Sequence, residues 1–196
     1  MTGFGRAAQT AAIAALIAAT VFCGCGTVDR RSRDIASGRY DVSWHDSLGT
    51  RRARVVFTVE RIVLRPPRWS VTASVANRTA TTLQIDRPHR PGSTLFGLLP
   101  FRSASSGELE RAIRAARFRA PLVASSFDPP LPRDLRPRRS WRGVFSGLGT
   151  LEAGGYVRVE FGRFIPRGPI PRGLSAGMIE LTDRALHLRA PSASGR

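Results

Sequence analysis

The sequence predicts an all-β protein, an antiparallel β-sandwich with one short inserted helix, after an N-terminal signal peptide. Apolar and polar residues alternate with period two in about eight short segments beyond residue 40, as expected for strands with one buried face. Glycine, proline and asparagine separate these segments at turn-like intervals. A single segment has the apolar spacing of a helix, which excludes a parallel sheet with alternating helices.

The first 24 residues have the pattern of a signal peptide. Arg6 precedes an apolar run over residues 11–22, and the first acidic residue is Asp29. The run is shorter than the roughly 20 apolar residues that a membrane-spanning helix needs. We therefore predict that the protein is exported.

The apolar run ends at Cys23 and Cys25. The junction resembles the lipobox of bacterial lipoproteins, in which a small residue precedes a cysteine that is acylated. Gly24 stands before Cys25, whereas the bulky Phe22 stands before Cys23. The resemblance implies lipidation of Cys25 and anchoring to the cell membrane; cleavage of an ordinary signal, which would release a secreted protein, is the alternative.

Beyond the junction, the sequence predicts three segments. Residues 25–39 are polar without apolar periodicity and are expected to form a flexible tether, residues 40–190 the folded domain, and residues 191–196 a disordered tail. Neither cysteine lies in the domain, so we expect no internal disulfide and no thiolate metal site.

Four strands are predicted in the first half of the domain. Residues 40–44 form the first, and residues 54–64 the second, which ends at two prolines that cannot donate to a ladder. Residues 69–76 alternate as a third strand with one buried face. Asn77–Thr79 is a turn sequence, and it also fits a glycosylation sequon; residues 82–85 form a short fourth strand.

The inserted helix is predicted over residues 105–120. Ser105 and Glu108 have capping-box spacing, and Leu109, Ile113 and Ala116 recur at helical intervals. The alternative is a cationic helix that lies on a membrane surface.

The second half of the domain begins with a proline-rich connection over residues 127–137, which favours extended chain and excludes a central strand. Alternating segments then predict strands at residues 141–146 and 157–161. Two further strands are predicted at residues 178–181 and 185–188.

Four segments carry a family resemblance. Residues 69–79, 127–132, 140–147 and 156–162 resemble uncharacterised exported immunoglobulin-like proteins of actinobacteria. The resemblance covers about half of the mature chain, and it implies an immunoglobulin-like sandwich in the cell envelope without implying a reaction. The core disulfide of many immunoglobulin-like domains is missing here, so the similarity is to disulfide-free members.

The chain is strongly basic, with a net charge of +17, and all 31 basic residues are arginine. Arginine is densest at residues 30–33, 51–54 and 136–139, with no continuous basic stripe that interleaves with aromatic residues. This pattern does not favour nucleic acid, and for an exported protein it favours an anionic lipid or envelope polymer. We name Arg136, Arg138 and Arg139 as the candidate contact residues.

One sequence motif suggests catalysis. Gly173–Gly177 has the spacing of a nucleophile elbow around Ser175, and Asp183 and His187 follow nearby. A proline-rich approach and the absence of alternating helices favour a glycine-rich turn instead. The three histidines, His45, His89 and His187, lack metal-ligand spacing, so we predict no metal and no cofactor.

The function that the sequence favours is a non-catalytic binding or scaffolding module on the outer face of the bacterial cytoplasmic membrane. Its partner would be an envelope protein or an anionic envelope polymer. The alternatives are a small envelope hydrolase that uses Ser175 and purely electrostatic binding of an anionic lipid or polymer.

Overall fold

The computed structural model describes residues 34–86, 96–101, 111 and 120–189. Twelve β-strands lie in these ranges. In chain order they are β1 (Gly38–Gly49), β2 (Arg54–Arg65), β3 (Arg68–Asn77), β4 (Thr82–Ile85), β5 (Gly97–Phe101), β6 (Leu122–Val123), β7 (Ser126–Asp128), β8 (Asp134–Leu135), β9 (Ser140–Leu148), β10 (Tyr156–Arg167), β11 (Met178–Leu181) and β12 (Leu186–His187).

The strands form two antiparallel sheets. The first has the order β1-β2-β3-β9-β7. The second has the order β6-β5-β10-β4-β8, and β11 and β12 also pair with β10. Four strands of the second sheet, β4, β5, β11 and β12, therefore pair directly with the long strand β10.

Aromatic side chains join the inner faces of the two sheets. Phe57 of the first sheet lies 5.2 Å from Phe161 and 5.4 Å from Phe164 of the second, measured between ring centroids. Trp44 stacks on Phe161 at 6.2 Å. Such offset and edge-on contacts stabilise a core beyond the burial of apolar area alone. This all-β arrangement of two antiparallel sheets is confirmed as predicted and is consistent with a β-sandwich.

The alternation of residues along β2 and β3 predicts their buried faces. Trp69, Val71, Ala73 and Val75 are all buried on β3, as expected. On β2 the pairing register shifts between Val59 and Arg61, so the strand has an extra residue there. This irregularity keeps Ile62 and Leu64 in the core although they are out of phase with Val59.

Four strands are missing from the sequence-based prediction. All five residues of β5 are buried, so this strand lacks the alternation that a strand with one solvated face shows. Strands β6, β7 and β8 have two or three residues each, too few to show a period. Strand β8 and most of β7 lie within the proline-rich connection, and each is the last strand of its sheet rather than a central one.

Ordered pairing begins before the boundary that the sequence predicts at residue 40. Strand β1 starts at Gly38, Ile35 pairs with Glu152, and Ala36 is 1% exposed. The last residues of the predicted tether therefore belong to the folded domain. The predicted signal peptide, most of the helix at residues 105–120 and the tail at residues 191–196 lie outside the described residues.

Within the described residues, no helix is both long enough and apolar enough to cross a lipid bilayer.

Candidate functional site

Arginine residues from three parts of the chain meet at one end of the first sheet. They come from the turn between β1 and β2 together with the first residue of β2, from the link after β3, and from the turn between β8 and β9. Backbone hydrogen bonds join these segments: Arg78 N–H donates to the Arg54 carbonyl at 2.8 Å, and Asn77 N–H donates to the Arg139 carbonyl at 2.9 Å. We call this set the arginine end; its seven members are Arg51, Arg52, Arg54, Arg78, Arg136, Arg138 and Arg139.

The arginine end is exposed and lacks carboxylate partners among the described residues. Six of its side chains are exposed, and only Arg54 is half-buried. The ion pairs of the described ranges use other arginines, for example Arg61 with Asp41 and Arg142 with Glu60. The Nε of Arg54 is buried without a hydrogen-bond partner. Like charges gathered at one end of a sheet repel one another, and a bound polyanion would relieve the repulsion.

A buried asparagine holds the link between β3 and β4 against the arginine end. Asn77 is fully buried, and its amide nitrogen donates to the carbonyls of Thr81 and Leu135, each at 2.8 Å. Its amide oxygen accepts from the Thr79 backbone N–H at 3.0 Å and from the Thr79 hydroxyl at 2.7 Å. All hydrogen-bonding capacity of the side chain is used. The turn predicted at Asn77–Thr79 is present and is closed by the hydrogen bond from the Thr79 backbone N–H to the Asn77 side chain. The same asparagine, which belongs to the sequon, connects this turn to Leu135.

The turn between β8 and β9 contains the three arginines that the sequence singles out. Arg136, Arg138 and Arg139 are all exposed there, and Arg138 has a left-handed backbone with φ of 59°. For a residue other than glycine this conformation is uncommon, and the surrounding structure must hold it. A second dense region of the sequence, residues 51–54, joins these three in space. The sequence does not predict Arg78 as a member of this set, because it stands alone in the sequence. The third dense region, residues 30–33, and the predicted lipidation site Cys25 lie outside the described residues.

Ser175 lies in the loop that leads into β11. Its hydroxyl donates to the Gly177 carbonyl at 3.2 Å, and a strand rather than a helix follows. Asp183 accepts a hydrogen bond from the Trp44 indole at 2.7 Å. The ring of His187 lies 4.8 Å from that of Tyr156, between centroids, and is tilted against it by 36°. In the ranges that the structure covers, no hydrogen bond connects Ser175 with either of them.

His45 and His187 lie on different sheets, on β1 and β12, and His89 lies outside the described residues. The described part of the chain contains no group of three or more histidine, cysteine or acidic side chains placed to hold a metal ion.

Two carboxyl groups at the β10–β11 pair have raised pKa values. Burial raises the pKa of Glu160 to about 7. Burial also raises the pKa of Glu180 to about 7, with smaller contributions from the nearby carboxylates of Asp46 and Asp183. Glu180 is 7% exposed and pairs in register with the core residue Phe161. Near neutral pH, part of the population therefore carries charge inside the fold.

Glu180 makes the stability of the domain depend on pH. The folded-state pKa lies above the ordinary value of 4.5, so the contribution of Glu180 to the free energy of unfolding is most favourable below that value and is lost as pH rises through about 7. We expect Glu180→Gln to raise the free energy of unfolding at pH 8 by about 1–2 kcal/mol, after allowance for solvent access, and to leave it unchanged at pH 4. Urea titrations at both pH values measure the difference. Asp128→Asn, at an exposed position, is the control, and equal pH profiles for Glu180→Gln and wild type would contradict this prediction.

Comparison of the chain with protein-family models, with curated proteins and with solved structures finds no match.

Proposed function

We propose that this protein is a non-catalytic binding module on the outer face of the bacterial cytoplasmic membrane, lipid-anchored at Cys25, with an immunoglobulin-like β-sandwich whose arginine end binds an anionic polymer of the cell envelope. The observation that carries the proposal is the meeting of seven arginines from three chain segments at one end of a sheet. Export and anchoring are supported by the lipobox-like sequence around Cys25.

A polymer fits this end of the domain better than a small anion. A single phosphate or carboxylate pairs with one or two guanidinium groups, since the fork of arginine binds such groups in a bidentate manner. A chain with repeated charges pairs with several arginines at once and releases several counterions. Binding of this kind weakens steeply as salt is added.

Strand β1 runs toward the arginine end. Gly38 is the first residue of this strand and Gly49 the last, and Gly49 pairs with Arg54 of the arginine end. Twelve residues of strand cover about 35–40 Å. The first residue of β1 and the arginine end therefore lie at opposite ends of the first sheet.

Salt extraction of the envelope fraction from cells that express the full chain tests both parts of the proposal. The wild type should remain with the membrane in about 0.5 M salt, because the lipid anchor is insensitive to screening. Cys25→Ser should remain with the envelope at low salt and leave it in about 0.5 M salt. In that background, a triple variant should leave the envelope fraction already at low salt. It carries Arg136→Ser, Arg138→Asn and Arg139→Ser.

The control variant removes the same charge elsewhere. All three control arginines are exposed: Arg163 lies in β10, Arg184 between β11 and β12, and Arg189 after β12. Their replacement by serine in the Cys25→Ser background should leave low-salt retention unchanged. Equal release by the two triple variants would show that net charge alone matters and would refute the arginine end as a site. Retention of Cys25→Ser at high salt would instead indicate a protein partner.

A further inference from the structure

A pocket opens on the outer face of the first sheet, beside the hairpin that connects β2 to β3. Its volume is about 460 Å³, and its polar lining includes Arg65, Arg68, Ser70, Ser126 and Ser146. Volumes of about 300–1,000 Å³ are typical of pockets that bind small molecules. The pocket lies where β3 begins at Arg68, and the arginine end lies where β3 finishes at Asn77. The two regions are therefore at opposite ends of one sheet.

Three serines line up across neighbouring strands in the floor of the pocket. Ser70 of β3 pairs in register with Ser146 of β9, which pairs with Ser126 of β7. The hydroxyl oxygens of Ser126 and Ser146 are 2.8 Å apart. Paired residues on adjacent antiparallel strands project from the same face, so the three hydroxyls form a row. Each hydroxyl can both donate and accept, which suits the hydroxyl groups of a sugar.

Two arginines face each other at the rim of the same pocket. Arg65 and Arg68 are a register pair that closes the β2–β3 hairpin, and both side chains are exposed. Like charges directly opposite each other across two strands destabilise a sheet. Neither guanidinium has a carboxylate partner among the described ion pairs. A bound oxyanion would remove this repulsion and accept hydrogen bonds from the guanidinium N–H groups of both arginines.

We propose that this pocket binds a sugar unit that carries a phosphate or a carboxylate group. Arg65 and Arg68 bind the oxyanion, and Ser70, Ser126 and Ser146 bind the sugar hydroxyls. The shared chemistry is an oxyanion next to hydroxyl groups, and its source is either a free acidic sugar or one unit of an anionic polysaccharide. The site is separate from the arginine end and does not depend on it.

Calorimetric titration of the purified full chain tests the proposal with four small probes: glucose 1-phosphate, glucuronate, glucose and inorganic phosphate. We expect at least one of the two acidic sugars to bind at least about tenfold more tightly than both glucose and inorganic phosphate. Arg68→Gln should weaken that binding by at least about tenfold, and Ser146→Ala by about threefold to tenfold. Cooperative thermal unfolding of both variants, at or above the wild-type midpoint for Arg68→Gln because one of two opposed charges is removed, shows that the fold is intact.

The polysaccharide source is tested with polyglucuronate in the same titration. If the polymer binds and Arg68→Gln weakens its binding, the pocket takes a unit of a chain; if only the free sugars bind, it takes a free ligand, and both results support the pocket. Glucose or inorganic phosphate binding as tightly as the acidic sugars would overturn the proposal, as would the absence of any binding.

Two control variants distinguish binding at the pocket from binding at the arginine end. The triple variant Arg136→Ser, Arg138→Asn and Arg139→Ser should bind the acidic sugars as the wild type does. Arg68→Gln in the Cys25→Ser background should remain with the envelope at low salt. Loss of sugar binding in the triple variant, with Arg68→Gln unaffected, would assign the binding to the arginine end and refute the pocket.

Discussion

Replacement of Phe96 by alanine should lower the free energy of unfolding by about 3–5 kcal/mol, the largest effect that we expect from a single substitution in this domain. Phe96 is 3% exposed and stands just before β5. Its ring centroid lies 5.4–6.4 Å from five other aromatic rings, those of Phe127, Trp141, Phe145, Phe161 and Phe164. Three of these rings belong to the first sheet and two to the second, so alanine would leave a cavity at the junction of the two sheets.

Urea denaturation followed by tryptophan fluorescence measures the loss. Domains of this size have free energies of unfolding of about 5–15 kcal/mol, so Phe96→Ala would remove a large part of the total. Leu148→Ala is the control, because Leu148 is 61% exposed and its truncation should cost less than about 0.5 kcal/mol. Similar losses in both variants would show that Phe96 does not join the sheets.

Asn77→Ala should lower the free energy of unfolding by about 2–4 kcal/mol. The substitution removes two donors from the carbonyls of Thr81 and Leu135 and one acceptor from the Thr79 backbone N–H. These groups lie where water has little access, since Asn77 itself is fully buried. Buried polar groups that lose their partners carry the full cost of desolvation.

Thermal and urea unfolding of Asn77→Ala give the magnitude, and Ser74→Ala on the outer face of the same strand is the control. Ser74 is half-buried and should change stability by less than about 0.5 kcal/mol. A glycan on Asn77 would require the same amide nitrogen that now donates to two carbonyls. A stable Asn77→Ala variant would mean that other groups or water replace these bonds.

The strands with one buried face are the part of the fold that the sequence predicts best. Along β3, Trp69 to Val75 alternate with polar residues because one face packs in the core and the other meets solvent. Alternation does not predict strand β5, because both of its faces are buried. Leu99 and Phe101 form a second small apolar cluster on the outer side of their sheet. For the same reason Arg158, a charged residue in the alternating segment at residues 157–161, is only 7% exposed. Its guanidinium donates to the Asp183 carbonyl at 2.8 Å.

The candidate sites depend more strongly on tertiary structure. Composition predicts a basic domain, and the density of arginine at residues 136–139 points to three members of the arginine end. The sequence does not predict that Arg54 and Arg78 meet Arg139, or that Ser126 and Ser146 complete the pocket floor.

By itself, the sequence determined the all-β class, most of the long strands and the basic character of the domain, because alternation and composition are local properties that burial of one face imposes on neighbouring residues. Only the tertiary structure decided which arginines and serines share a surface. The pairing of β3 with β9 joins residues more than 60 positions apart, and such register follows from the packing of whole sheets rather than from any local pattern.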